Sequence, residues 1–127
     1  FACLKLGHCV IKDDAVEVAA KMHDADVLVF VTPVYYYSVS GQLKTMIDRA
    51  NPLFDTDYAF TKVYLLATAA EDEPETVEGA VKAVQGWVDC FERCELTETV
   101  FAGGVNDVGD IAGHPALEIA YQVGKTV

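Results

Sequence analysis

Apolar residues follow two alternating rhythms along this chain. Val27 to Val31 is an unbroken apolar run, too short for a helix and rich in β-branched residues. It reads as a strand of a parallel sheet, covered on both faces. A second run from Lys62 to Ala67, centred on Val63-Tyr-Leu-Leu66, has the same buried character, whereas Leu96 to Ala102 alternates and predicts a strand with one more exposed side. Between these runs the period becomes helical. Val16, Ala19, Ala20 and His23 share a face over about 14–24, with Asp13 and Asp14 as N-cap and Glu17 placed to complete a capping box. Leu43, Met46, Ile47 and Ala50 mark a second helix, capped by Ser40 or Ser38. Val77, Ala80, Val81, Val84, Val88 and Phe91 mark the longest helix, opened by Pro74 and the acidic stretch at 71–75 and running to about Arg93. His114-Pro115 opens a last helix whose inner face is expected to carry Leu117, Ala120, Tyr121 and Gly124. Residues 1–12 read as a loop. The order helix, strand, helix, strand, helix, strand, helix predicts a three-layer, doubly wound α/β fold in a single domain over residues 1–127.

In open α/β sheets, ligands sit outside the carboxyl ends of the strands. Pro33 lacks a ladder N–H and ends the first strand, so Pro33 to Ser38 is the first place to look for a site. Three successive tyrosines there suit a wall for a flat aromatic ligand, with turn amides free to bond its edge. They also suit packing under the loop or at a subunit contact. The small residues Thr68-Ala-Ala70 after the second strand would let a ligand approach the backbone. The loop Leu53 to Phe60, with Phe54, Tyr58 and Phe60, suits either a cover over the ligand edge or a contact between subunits.

Thr32-Pro-Val-Tyr-Tyr-Tyr-Ser-Val-Ser-Gly-Gln-Leu-Lys-Thr-Met-Ile-Asp-Arg49 resembles, without a gap, the second flavin loop of the flavodoxin-like NAD(P)H-dependent FMN reductases. That family includes the iron–sulfur flavoproteins. Cys3 with Cys9-Val-Ile-Lys-Asp-Asp14 resembles the family's cysteine-bearing segment, and Gly109 to Tyr121 resembles its C-terminal helix entry. The resemblance implies a flavodoxin-like sheet of order 2-1-3-4-5 and FMN as cofactor. It implies flavin contacts from Pro33, Val34, Tyr35, Tyr36, Tyr37 and Ser38 in the second loop and from Thr68 and Ala69 in the third. Ala69 and Ala70 stand where relatives often carry glycines, and alanine adopts positive φ less freely. The family's first strand, phosphate loop, first helix and second strand would all precede Phe1, so the fold is expected to be N-terminally incomplete and to hold FMN weakly. The strand at 27–32 would then have an open edge, covered by another segment or by an intertwined dimer.

The implied activity is an FMN-dependent oxidoreductase taking a hydride from NAD(P)H and passing electrons to a small acceptor such as a quinone. No catalytic acid or base is assigned. An electron carrier or flavin-binding module without NAD(P)H turnover, and a truncated domain with no bound cofactor, are the other readings. Composition narrows the partners. Nine basic against twenty acidic residues give a net charge of −11, which argues against nucleic acid and anionic membranes. No apolar run approaches a membrane span, and a soluble, cytoplasmic homo-oligomer is expected. Four cysteines do not suggest a disulfide scaffold. Cys3, His8 and Cys9 could contribute to a zinc or iron–sulfur site, but the ligand set is incomplete and no metal is assigned. Cys90 and Cys94, four apart on the expected long helix, read as small buried hydrophobes. His23 reads as a helix-dipole partner or surface residue, and His114 as structural.

Overall fold

A computed structural model describes residues 2–127. Three parallel strands, β1 (Val27–Pro33), β2 (Lys62–Thr68) and β3 (Glu95–Ala102), form a sheet in that order. Helices α1 (Ala2–Leu6), α2 (Ala15–Asp24), α3 (Gly41–Arg49), α4 (Glu78–Val88) and α5 (Pro115–Gly124) surround it. Short 3-10 turns at Asn51–Leu53 and Pro74–Val77 follow α3 and precede α4. Both crossovers are helical, as parallel pairing demands. The open parallel sheet with flanking helices is the flavodoxin-like α/β arrangement the sequence predicts.

The main core lies on one face of the sheet. Leu28 and Phe30 of β1 and Val63 and Leu65 of β2 pack there against Met22, Ile47, Ala80, Val84 and Val88. An aromatic group closes its lower end, with Tyr58 stacked on Phe60 and Phe91 edge-on to both. Arg93 lies over the Tyr58 ring at 4.5 Å and donates to its carbonyl at 2.7 Å. The opposite face carries a smaller cluster where Ala116 of α5 meets Val100 and Ala102 of β3.

Several expectations are corrected. β1 is covered on one face only, with Val29 49% and Val31 67% exposed, because α5 reaches β3 on that side but not β1. The free edge of β1 is open as expected, but among the described residues no other segment pairs along it. Tyr58 and Phe60 belong to the core at the amino ends of the strands, so the 53–60 loop does not reach the carboxyl ends. The longest helix stops at Val88, and successive turns bring Phe91 back under the sheet. Cys90 is therefore off the helix and exposed, and Cys94 is half-buried. The inner face of α5 is Ala116, Ala120 and Val123, while Leu117 and Tyr121 point outward. Residues 2–6 are helical rather than loop. At α2, Asp14 makes no side-chain cap; Asp13 Oδ1 accepts from the Ala15 amide at 3.1 Å, and Glu17 pairs with Lys21 instead of closing a capping box.

Candidate functional site

The carboxyl ends of β1 and β2 lie side by side, Pro33 opposite Thr68. The pairing continues one step further, where the Val34 amide donates to the Thr68 carbonyl at 2.8 Å. Tyr35 and Ser38 then exchange two backbone hydrogen bonds of 3.0 and 3.1 Å. Tyr36 and Tyr37 between them have φ of 50° and 60°. Reciprocal bonding around two left-handed residues is the pattern of a type I′ turn, which ordinarily recruits Asn-Gly. A non-glycine residue held there costs on the order of 1–3 kcal/mol, and such strain persists only when the surroundings enforce it.

Those surroundings come from three directions. Below the turn, buried Thr32 Oγ1 accepts from the Ser40 amide at 2.9 Å and donates to the Pro33 carbonyl at 2.8 Å. Ser40 Oγ in turn caps α3 by accepting from the Leu43 amide at 3.2 Å. Behind the turn, α4 presses against the Tyr37 carbonyl at Gly79, where a Cβ would overlap that oxygen. In front, Tyr37 Oη donates to Glu71 Oε2 at 2.9 Å, and Thr76 Oγ1 donates to the same oxygen at 3.3 Å. The bond to Glu71 and its negative charge raise the Tyr37 pKa above the ordinary phenol value.

The loop carrying Glu71 is itself anchored to the far strand. The Ala69 amide donates to the Ala102 carbonyl at 3.1 Å, and Val105 and Gly104 amides return bonds to Ala69 and Glu71 carbonyls at 2.8 and 3.3 Å. Gly103 permits this approach, since a Cβ there would collide with Asp72. Ala69 and Ala70 keep ordinary negative φ, so the positive φ values at this site fall on the tyrosines instead.

Turn and loop enclose a cavity of about 200 Å³ lined by Val34, Tyr36, Tyr37, Ala69, Ala70, Glu71 and Thr76. Of the residues singled out from sequence, Val34, Tyr36, Tyr37 and Ala69 line it. Pro33, Tyr35, Ser38 and Thr68 form the backbone frame around it. Ala70, from the small-residue stretch after β2, also lines it, while Glu71, Thr76 and the supporting Gly79 come from the structure. A glycine interrupting the helical pattern was the available signal for Gly79; Glu71 was credited only to helix polarity. The Tyr36 ring is fully exposed and Tyr37 half-exposed, and no acceptor among the described residues takes the Tyr36 and Tyr37 amides. An aromatic wall, small alanines and free turn amides suit a flat heteroaromatic ring. The one charged side chain of the lining is the carboxylate of Glu71, so this residue set suits a flavin ring and not its phosphate.

A larger cavity of about 330 Å³ lies at the amino ends of the strands, lined in part by His8, Cys9, His23 and Asp57. His23 Nδ1 lies 2.7 Å from Asp24 and Nε2 3.2 Å from Asp57, which raises its pKa against a smaller effect of burial. Nearby, Arg49 forms a two-pronged ion pair with Asp13 and also donates to the Ile11 carbonyl at 3.2 Å. The Ile11 amide and then Arg49 lower the pKa of Cys9. Asn51 Nδ2 lies 3.4 Å from Cys3 Sγ. Among the described residues no three His, Cys, Asp or Glu side chains converge as a metal site. His114 caps α5, its Nδ1 accepting from the Ala116 amide at 3.1 Å.

The sequence pattern of the NADPH-dependent FMN reductase family matches residues 1–92. The chain belongs to this family. An iron–sulfur flavoprotein of Archaeoglobus fulgidus is 42% identical over 98% of this chain. The chain spans 55% of that relative's length. The solved azoreductase of Bacillus anthracis superimposes with a TM-score of 0.65 at 26% identity, covering 89% of this chain and 62% of the other. The Trp repressor binding protein of Bacillus subtilis superimposes with a TM-score of 0.70 at 22% identity, covering 86% and 74%. Family membership brings FMN as the cofactor. It does not bring a complete iron–sulfur ligand set. Such a cluster takes four thiolates, and the four cysteines here divide between the α1 region and the turns after α4.

Proposed function

We propose that this chain carries the ring-binding half of an FMN-dependent NAD(P)H oxidoreductase site. The observation that carries the reading is the left-handed Tyr36-Tyr37 turn at the carboxyl ends of β1 and β2. Strain of that kind is retained where it positions something. Val34, Tyr36, Tyr37 and Ala69 would contact the ring, while Pro33, Tyr35, Ser38 and Thr68 hold the frame. Ring stacking on a tyrosine and hydrogen bonds from the Tyr36 and Tyr37 amides would orient it. When bound, FMN would supply the redox chemistry, hydride uptake from NAD(P)H and onward electron transfer. The protein's part is to fix the ring, shield one face and leave the other open to NAD(P)H and then to a small acceptor of the quinone class. The likeness to a solved azoreductase supports a small organic acceptor. The uncovered edge and face of β1 support assembly with further copies of the chain, and the cytoplasmic location rests on composition alone.

The experiment is reconstitution with FMN, followed by NAD(P)H oxidation with a quinone and, separately, with a one-electron acceptor. Turnover with the quinone supports the reductase. Reduction of the one-electron acceptor without NAD(P)H-driven quinone turnover would move the protein to the electron carriers. A chain in which neither FMN nor lumiflavin perturbs the backbone signals of Val34 to Tyr37 even at the highest soluble ligand concentration would refute the site itself.

A further inference from the structure

Two facts about the tyrosine turn do not explain themselves. It holds two adjacent bulky residues in a conformation suited to Asn-Gly, and its exposed end lacks core packing that would enforce this. Thr32 and Gly79 constrain the base and back of the turn. The front is held by one side-chain contact, Tyr37 Oη to Glu71 Oε2. That same carboxylate oxygen accepts from buried Thr76, and the Glu71 carbonyl is tied to Gly104 beside β3. Glu71 thus stands on an anchored loop, and its grip reaches the turn from outside it.

We infer that Glu71 is a positioning residue of the flavin-ring site: through Tyr37 Oη it holds the Tyr36-Tyr37 turn left-handed, keeping the Tyr37 ring and the turn amides at the cavity mouth. This deepens the flavin reading and rests on it for the ligand, but not for the turn. Glu71 acts without touching the reacting atoms. The carboxylate serves only as acceptor, so an amide oxygen at the same place does most of the same work.

Two measurements on the full chain test this, using Glu71→Gln, Glu71→Ala, Tyr37→Phe and the double variant Glu71→Ala/Tyr37→Phe. Glu71 is exposed, so its variants fold. The first measurement needs no flavin: backbone carbon shifts and amide–Hα couplings report whether Tyr36 and Tyr37 are left-handed. The second is titration with lumiflavin, the ring without its phosphate, followed by fluorescence quenching. Glu71→Ala should shift the turn signals toward averaged values and weaken lumiflavin binding roughly three- to tenfold, the range for a partly solvated hydrogen bond. Glu71→Gln should keep the turn signals and lose less than about twofold. Tyr37→Phe should match Glu71→Ala, and the double variant should be no worse than either. Unchanged turn signals in Glu71→Ala overturn the inference, as do losses that simply add in the double variant. Failure of the wild-type chain to bind lumiflavin sinks the flavin reading instead, while the turn signals still decide the role of Glu71.

Discussion

Gly79 and Gly86 both lie on α4, and the same substitution at each should have opposite effects. Glycine within a helix is less favourable than alanine by roughly 0.5–1 kcal/mol. At Gly86 nothing lies within 4 Å of an added Cβ, so Gly86→Ala should collect that gain. At Gly79 the added Cβ would overlap the Tyr37 carbonyl oxygen and sit 3.0 Å from the carbonyl carbon. Both atoms are backbone, so no side-chain rotation relieves them. The Tyr37 turn is already strained and tied to Glu71, which leaves displacement of the turn or of the first turn of α4. Overpacking of this kind costs typically 1–3 kcal/mol. The gap between the two variants should therefore be about 2–4 kcal/mol. Urea unfolding followed by Trp87 fluorescence reads it; at a slope near 1–3 kcal/mol/M the midpoints should separate by about 0.7–4 M. Gly79→Ala should also weaken lumiflavin binding, since it moves the turn, while Gly86→Ala should not. Equal midpoints and equal lumiflavin affinity in the two variants would show that α4 does not brace the turn.

Thr32→Val keeps the shape of a fully buried side chain but strands the Ser40 amide, so it should destabilise by about 1–3 kcal/mol in urea unfolding. Cys9 should be alkylated by iodoacetamide at neutral pH well before Cys94, because the Ile11 amide and Arg49 lower one thiol while burial pushes the other up to about 11; peptide mapping over time reads the order. Replacing Arg49 by Met should slow labelling of Cys9 and leave Cys94 unchanged. The raised pKa of His23, due first to Asp24 and then to Asp57, stabilises the fold fully below its ordinary value of 6.5, and the effect fades as pH rises through the folded value. His23→Gln should therefore lower the melting temperature at about pH 5.5, and the difference should shrink by about pH 8.

The three strands and the helices between and after them were legible from local pattern. An apolar run of β-branched residues ended by Pro33 can be little else than a strand, and Ser40, one of the two serines the spacing offered, caps α3. The tyrosine segment fell at a strand's carboxyl end for the same reason. Periodicity, however, records which residues of one element share a face, and not what stands opposite that face. The run from Val27 to Val31 has no alternation to distinguish the covered side of β1 from the side α5 fails to reach. The repeat that carries Val88 to Phe91 continues unbroken, yet packing with Tyr58, Phe60 and Trp87 draws Phe91 out of the helix into turns. His114 and Pro115 set where α5 starts, but β3 sets its rotation, turning Ala116 inward and Leu117 outward. Most of all, no propensity of tyrosine yields two left-handed residues in succession. That conformation exists because Thr32, Gly79 and Glu71, from three separate parts of the chain, meet around the turn, and only the tertiary structure brings them there.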